Sequence, residues 1–340
     1  MIAAPRPRPR AEERLLHLDP RGGRFRDGRL ADLPGLLRRN DLMVLNDAAT
    51  IPASLAGRTA SGQSVEVRLL ADVSPGRWRA VLFGEGDWRT RTEDRPPPPR
   101  LRSGDVVCFG GLTATLICAY PLSPRLVDLR FDAEDAALWT ALYRLGRPVQ
   151  YAHLGAGLAL SEVQTVYASR PWAAELPSAG RPLSGELLLA LRAHGVALAA
   201  VTHAAGLSST GEPAIDQSLP LPERYDIPPR TVAAVSRTRS AGGRVVAVGT
   251  SVVRALEGCA HDHGRLVAGP GTTSFVVRPP FVPQVVDGLL TGFHEPGSSH
   301  LDLLRAFVAP PLLDAAYTHA ESAGYRGHEF GDASLILAAA

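Results

Sequence analysis

The hydrophobic pattern of this chain changes its period near residue 62 and again near residue 132. Between these points lie short runs of strand-favouring residues, among them SVEVRLL, RWRAVLF and LTATLICAY, separated by clusters of Gly, Pro and Asp. Several short strands at such spacing indicate a small barrel or sandwich. The tract RTEDRPPPPR at 91–100 is expected to be an exposed extended loop, because proline cannot donate to a sheet ladder.

Helix-like and strand-like segments alternate from residue 184 onward. SGELLLALRAHG has the pattern of a helix, with Ser184 as its N-cap and Gly195 as its stop signal. VALAAVTH and RVVAVGT have the apolar composition of buried strands, and SVVRALEGCA has that of a helix. This alternation predicts βα units on a largely parallel sheet with flanking helices. The predicted fold class is therefore α/β, interrupted by an inserted small all-β barrel domain.

The two patterns divide the chain into two predicted domains. Residues 1–57 and 132–340 are expected to form a discontinuous α/β domain, and residues 58–131 the inserted barrel. A chain of 340 residues exceeds one average domain and can bury a large core without disulfides. Because open α/β sheets bind ligands at the carboxyl ends of their strands, the α/β domain is expected to carry the site.

The composition indicates a soluble globular protein, with 45% hydrophobic and 21% charged residues. The three cysteines, Cys108, Cys118 and Cys259, are odd in number and scattered, which favours buried free thiols in a reducing compartment. No apolar run reaches membrane-spanning length, and the N-terminal residues lack the apolar core of a signal peptide. We therefore expect a cytoplasmic protein that does not contact a membrane, and we expect a monomer.

Every basic residue is Arg, since the sequence contains no Lys. Schiff-base chemistry with pyridoxal phosphate and phosphate binding by a P-loop or kinase lysine are thereby excluded. A G-x-S-x-G elbow is absent, which argues against an α/β-hydrolase. No G-x-G-x-x-G follows a strand, which argues against the common nucleotide-cofactor folds. The two histidines of HDHG at 261–264 are better explained by a polar turn than by a metal site.

Three polar segments follow predicted strands. They are VTHAAGLSST at 201–210, AVGTSVVRALE at 247–257 and TGFHEPGSSHLDLLRAF at 291–307. Each brings hydroxyls, small residues or a histidine to the exit of a strand, where the next helix presents free backbone N–H groups. The sequence therefore predicts one ligand site at this edge of the sheet.

Six segments together resemble the S-adenosylmethionine:tRNA ribosyltransferase-isomerase family of queuosine biosynthesis. In chain order they are NDLMVLNDAATIPASLAG, SEVQTVYAS, GGRVVAVGTSVVRALE, VVDGLLTGFHEP, SSHLDLLRAF and YRGHEFGDASLIL. The resemblance extends from about residue 12 to residue 337. It implies an α/β domain with an inserted β-barrel, in agreement with the pattern of the residues.

The resemblance also implies a reaction. S-adenosylmethionine would give up its ribosyl unit to the aminomethyl group of a 7-deazaguanine base in tRNA, while adenine and methionine leave and the ribose rearranges to an epoxycyclopentanediol. Such a reaction needs a base near the acidic C5′–H beside the sulfonium and an acid near the departing adenine. It requires no metal and no redox cofactor, so none is expected.

Site residues follow from the positions that match the family's motifs. The expected catalytic residues are His294, His203 and Glu223. The residues expected to bind S-adenosylmethionine are Asn46, Asp47, Ser178, Gly180, Gly249, Thr250, Arg254 and Thr291.

Each residue also has a structural explanation. Asp47 could close an Asx-turn, and Arg254 could pair with Glu257 three residues along its helix. Asp332 in GDA is expected to cap the last strand. His294 could bond backbone groups and only close its turn.

Departures from the family pattern lie in the polar segments. PSAGRPLS at 177–184 and SLPLPE at 218–223 lack histidines that the family carries there, and Arg181 and Glu295 are new. An intact scaffold with altered polar groups suggests an altered substrate. A divergent relative that uses S-adenosylmethionine on a different, possibly small-molecule, acceptor is therefore the first alternative. A non-catalytic RNA-binding module ranks last, because only 6% of the residues are aromatic.

Overall fold

A computed structural model describes residues 1–7, 9 and 12–339 of the chain. The strands are β1 (Ile2–Ala3), β2 (Arg14–Asp19), β3 (Arg24–Arg29), β4 (Leu42–Asn46), β5 (Ala48–Thr50), β6 (Ser54–Thr59), β7 (Ser64–Ser74), β8 (Arg77–Phe83), β9 (Val106–Cys108), β10 (Thr113–Tyr120), β11 (Ser123–Phe131), β12 (Arg170–Ala173), β13 (Ala197–His203), β14 (Glu223–Ile227), β15 (Val245–Val248), β16 (Gly269–Thr273), β17 (Gly288–Gly292), β18 (Arg326–Gly327) and β19 (Ala333–Ile336). The helices are α1 (Leu33–Leu36), α2 (Asp135–Leu145), α3 (Gly185–Ala193), α4 (Pro213–Asp216), α5 (Pro229–Ser240), α6 (Thr250–His263), α7 (Ser299–Leu304) and α8 (Pro310–Ser322).

Nine strands of the described part of the chain form the main sheet, in the order β16-β14-β13-β4-β15-β17-β19-β2-β3. The four central strands β13, β4, β15 and β17 are mutually parallel, and β19 is parallel to β2. The remaining neighbours are antiparallel. The predicted α/β class is confirmed, and the parallel pairing is concentrated at the centre of the sheet, where βα units connect the strands.

Helices cover both faces of this sheet, because successive strand residues point to opposite sides. Leu42 and Val44 face the hydrophobic cluster that contains residues of α5, α6, α7 and α8. Met43 and Leu45 face the other cluster, with residues of α1 and α3. Ser184 caps α3 by accepting a hydrogen bond from the backbone N–H of Leu187, as the sequence predicts.

The strands between residues 54 and 131 close into a barrel in the order β10-β11-β8-β7-β6-β9. In this fully described stretch the helical structure is a single 3-10 turn at Thr92–Asp94. The inserted all-β barrel is therefore present, beginning at Ser54. Leu138 and Leu142 of α2 pack into the barrel's hydrophobic cluster. The exact division into domains at residues 57 and 131 stays a prediction.

The predicted exposed loop at 91–100 is buried at two points. Thr92 and Arg95 are both 8% exposed. Arg95 donates to Glu66, which also accepts from Nε of the buried Arg68 at 2.7 Å. The charged residues of the sequence do not reveal this burial, because an arginine can be buried where a carboxylate pairs with it.

The three cysteines are free, as predicted, but only one of them is buried. Cys259 is buried, Cys118 is intermediate and Cys108 is exposed. Cys108 ends the short strand β9, where alternate residues face solvent. Among the described residues no helix is long and apolar enough to cross a membrane.

Candidate active site

Four neighbouring parallel strands of the main sheet end at the same edge. β4 ends at Asn46, β13 at His203, and β15 just before Gly249, while β17 continues to Gly292 and leads to His294. Parallel strands place their carboxyl ends together, so the polar segments after them converge. The structure thus brings the predicted site residues of these four strands to one edge.

Asn46 joins two of these strand ends. Its amide nitrogen donates to the backbone oxygen of His203 at 3.0 Å and to Oγ of Ser251 at 3.3 Å. Its amide oxygen accepts from the backbone N–H of His203 at 2.9 Å and from that of Ala48 at 3.1 Å. Asn46, rather than Asp47, therefore makes the turn. Asp47 instead accepts from Oγ1 of Thr202 at 2.6 Å.

A buried charged group lies beside this junction. Nη1 of Arg254 donates to Oε2 of Glu223, and the backbone N–H of Gly206 donates to Oε1 at 2.9 Å. Nε2 of His203 lies 3.2 Å from Oε2 of Glu223. Burial raises the pKa of Glu223, although Arg254 opposes the rise. Burial, followed by the charge of Arg254, lowers the pKa of His203 well below its usual range.

Several polar atoms of this group have no hydrogen-bond partner among the described residues. They are both ring nitrogens of His203 and atoms Nε and Nη2 of Arg254, all buried; Nε2 of His203 is near Glu223 but outside hydrogen-bond geometry. Leaving a buried donor or acceptor unpaired costs about 1–3 kcal/mol. Such a concentration of unpaired groups at one strand edge is typical of a site that a polar ligand completes.

Glu257 does not pair with Arg254, so the intrahelical pair considered from the sequence is absent. Its carboxylate accepts from the backbone N–H groups of Gln284, Val285 and Val286 at 2.8–2.9 Å. Glu257 therefore anchors the segment that leads into β17. Arg254 is left for Glu223 and for the site.

His294 lies on the turn after β17. Its Nε2 lies 2.9 Å from Oγ1 of Thr291, and its backbone N–H donates to the hydroxyl of Tyr317 at 3.1 Å. The ring of His300 stacks on it at 5.0 Å between centroids. Burial, followed by His300 and His328, lowers the pKa of His294 well below its usual range. The imidazole is therefore neutral near pH 7, and the backbone N–H of residue 294, rather than the ring, ties the turn to Tyr317.

Gly249 and the 3-10 turn Ser178–Gly180 complete the edge. Gly249 has a φ of 94°, a conformation that favours glycine, and a Cβ there would approach Cβ of Ala179 to 3.4 Å. Thr250 begins helix α6 directly after it. The turn Ser178–Gly180 thus approaches the amino end of α6 through Ala179, and the binding role of Ser178 and Gly180 stays a prediction.

Comparison with known proteins decides the family. The sequence matches the family described as Queuosine biosynthesis protein over residues 1–336. The chain belongs to this family. It is 40% identical over 334 residues to the S-adenosylmethionine:tRNA ribosyltransferase-isomerase of Gloeobacter violaceus, covering 97% of this chain and 90% of that protein. The protein of the same name from Thermus thermophilus is 38% identical over 316 residues, covering 91% and 88%.

A solved structure of the family has the same fold. The crystal structure of S-adenosylmethionine tRNA ribosyltransferase from Thermotoga maritima is 27% identical in sequence, with a TM-score of 0.55. The match covers 99% of this chain and 96% of that one. The similarity therefore includes both the main sheet and the barrel.

Two residues that depart from the family's sequence pattern have ionisable partners outside the predicted site residues. Nη1 of Arg181 lies 3.0 Å from Oε1 of Glu13, and both side chains are buried. Arg181 thus has a buried carboxylate partner, and its link to an altered acceptor stays a prediction. Glu295 is exposed, with Oε1 3.1 Å from Nε2 of His328.

Other residues of the edge went unrecognised in the sequence. His300, Ser251 and Tyr167 all contact predicted site residues. His300 lies six positions after His294, in the first turn of α7. The sequence did contain a signal for His300. It lies in the first turn of a helix that follows a loop with another histidine, His294. The position of Tyr167 had no local signal, because it follows from long-range packing.

Gly180 permits the close approach of Tyr167. A Cβ at position 180 would lie 1.9 Å from the Tyr167 hydroxyl and 3.1 Å from Cζ. We expect Gly180→Ala to displace this ring and to cost about 1–3 kcal/mol, as overpacking does. The double variant with Tyr167→Phe removes the nearest atom and should regain most of that stability. Urea denaturation measures the effect, and equal stability of the single and double variants would contradict it.

The buried histidines make stability depend on pH. Burial, followed by Arg254, lowers the pKa of His300 to about 4. Between about pH 6.5 and 4 the unfolded chain therefore binds a proton that the folded chain does not, and the free energy of unfolding falls as the pH falls. The slope is at most about 1.4 kcal/mol per pH unit for one group.

We expect His300→Gln to reduce this slope between pH 6.5 and 4, as measured by urea titrations at several pH values. His263→Gln, at the exposed end of α6, is the matched control and should leave the slope unchanged. An unaltered slope in His300→Gln would show that this imidazole is not held neutral.

Proposed function

We propose that this chain transfers the ribosyl unit of S-adenosylmethionine to the aminomethyl group of a 7-deazaguanine base in tRNA, with release of adenine and methionine. Relatives that match nearly its whole length carry the name S-adenosylmethionine:tRNA ribosyltransferase-isomerase. The chain is thus an enzyme of queuosine biosynthesis and a tRNA-modifying transferase and isomerase. A cytoplasmic, monomeric state belongs to the same proposal.

One observation carries the proposal most directly. The unpaired buried atoms of His203 and Arg254 lie at the edge where the strands bearing Asn46 and His294 also end. A polar ligand in this cleft would satisfy them. S-adenosylmethionine offers ribose hydroxyls, an adenine ring and a carboxylate, which together match the amide, guanidinium and imidazole groups present.

The ligand's parts can be assigned to groups at the edge. The amino end of α6, at Gly249 and Thr250, presents backbone N–H groups suited to the methionine carboxylate. Asp47 and Thr291 are assigned to the ribose, while Asn46, whose amide is fully bonded within the protein, fixes the strand ends beside them. Ser178 and Gly180 are assigned to this side of the pocket, because Ala179 between them lies beside Gly249.

Two neutral imidazoles are available for the proton transfers. One takes the proton from C5′ beside the sulfonium, and the other passes a proton from the Glu223 carboxyl to the departing adenine, so that it ends neutral. We assign these roles to His294 and His203. Glu223 accompanies His203 and takes up or releases its proton, while Arg254 holds Glu223 in place. No metal takes part in these steps.

Incubation with S-adenosylmethionine tests the proposal, with and without tRNA that bears the aminomethyl-deazaguanine. We expect adenine and methionine in the chromatogram only when that tRNA is present. Product release with a small-molecule acceptor in place of tRNA would identify a divergent relative. Binding of tRNA without any release of adenine would identify an RNA-binding module. Calorimetry without S-adenosylmethionine binding at millimolar concentration would contradict the proposal.

A further inference from the structure

A second group of ligand-type side chains lies outside the assignments above. His153, His328 and Glu329 each offer a ligand atom, and these atoms lie within 4.8 Å of one another. Nε2 of His153 is 3.0 Å from Oε2 of Glu329, and the two imidazole rings are 4.4 Å apart between centroids. All three residues are partly buried.

Two loops distant in sequence bring these residues together. His153 follows helix α2, whereas His328 and Glu329 lie between β18 and β19. Leu154 and Phe330, their immediate neighbours, pack in one hydrophobic cluster. The buried neighbours therefore fix the two loops against each other, as a preorganised binding site requires.

The backbone at His328 adds to this arrangement. Its φ is 65°, in the left-handed region, where a side chain is costly. The ring is also held from outside, because Nε2 of His328 lies 3.1 Å from Oε1 of Glu295. A carboxylate that orients an imidazole is the usual outer partner of a metal ligand.

We infer that His153, His328 and Glu329 form a binding site for a zinc-type divalent cation. Two imidazole nitrogens and one carboxylate oxygen are a ligand set that zinc accepts, with a fourth position left for water or a substrate atom. Ligand atoms in a tetrahedral zinc site are about 3.3 Å apart, as follows from bonds of about 2.0–2.1 Å. The His153–Glu329 separation already has this scale, and the ligand atom of His328 lies within 4.8 Å of both.

The site is reachable from solvent. His153 lines a groove together with Ala4, Pro5 and Arg326. A metal site needs such an entry path as well as its ligands. The alternative explanation is a pair of His–carboxylate contacts that need no ion. The two explanations differ in whether one cation binds with all three residues at once.

Cobalt provides a direct probe, because four-coordinate Co²⁺ absorbs in the visible range and substitutes for zinc. The full chain, stripped of metal with a chelator, is titrated with Co²⁺ and, by calorimetry, with Zn²⁺. We expect one cation per chain. His153→Gln and Glu329→Gln should each weaken binding by more than about a hundredfold, beyond the range for loss of an outer partner.

His263→Gln is the matched control, because His263 is an exposed histidine at the end of α6, outside the cluster. It should bind both cations as the unchanged chain does. Melting temperatures of the metal-free variants check that they fold. Absence of stoichiometric binding would overturn the inference, as would binding that survives both ligand substitutions or is lost in His263→Gln.

Discussion

Replacing His294 by alanine is expected to slow adenine release from S-adenosylmethionine by about a hundredfold or more, the usual scale for losing an acid–base group. The reason is that a neutral imidazole beside Thr291 is lost from the end of β17. The turn itself should persist, because the backbone N–H of residue 294 bonds to Tyr317. Single-turnover assays with chromatography measure the rate, and the melting temperature should change little.

His194→Ala is the matched control, because His194 is exposed at the end of α3. It should release adenine at the rate of the unchanged enzyme. If His294→Ala unfolds, or keeps the native rate, then this histidine serves structure and carries no proton in the reaction.

Arg254→Met is expected to lower the free energy of unfolding by about 3–5 kcal/mol, the scale for removing one partner of a buried ion pair. Glu223 would then lie buried beside His203 without its cation. Burial already raises the pKa of Glu223, so the loss should be greater at high pH, where the unpaired carboxyl is charged. Urea denaturation at pH 6 and pH 8 measures both effects.

The double variant Arg254→Met with Glu223→Gln removes both charges and is expected to regain most of the stability. It should still release no adenine above background, because the site has lost its polar groups. A stable double variant with native activity would show that the pair only holds the fold. A single variant as stable as the unchanged chain would show that the pair is not buried in solution.

The centre of the fold could be predicted from the sequence, but its edges could not. The apolar runs of β4, β13, β15 and β17 are parallel strands, and helix α6 begins directly after β15, so local pattern sufficed there. β2 and β3 are a polar-rich hairpin, and β14 and β16 contain Glu, Arg, Gly and Pro. The strands β14 and β16 pair although α5, β15 and α6 lie between them in the chain, and no period indicates such a pairing.

The polar segments at the ends of the strands predicted where the candidate site lies, and the comparisons established the family. Neither predicted which side chains contact one another there. Arg254 and Glu257 are three residues apart on α6, which suggested a pair, yet tertiary packing gives each another partner. Arg181 is new to the segment, which suggested a substrate role, yet its partner is Glu13. The roles assigned to the site residues stay predictions.

The strand order has a consequence for how the protein is made. β19 lies between β17 and β2, and it pairs Ala333 with Leu15 from the opposite end of the chain. The barrel strands, by contrast, are contiguous in sequence. During translation the barrel can close while the residues after it are still being synthesised. The main sheet, in contrast, is complete only when β19, the last strand of the chain, has been made. A chain that ends before Ala333 therefore leaves the edges of β17 and β2 unpaired within the main sheet. Unpaired strand edges form hydrogen bonds with strands of other chains and lead to aggregation.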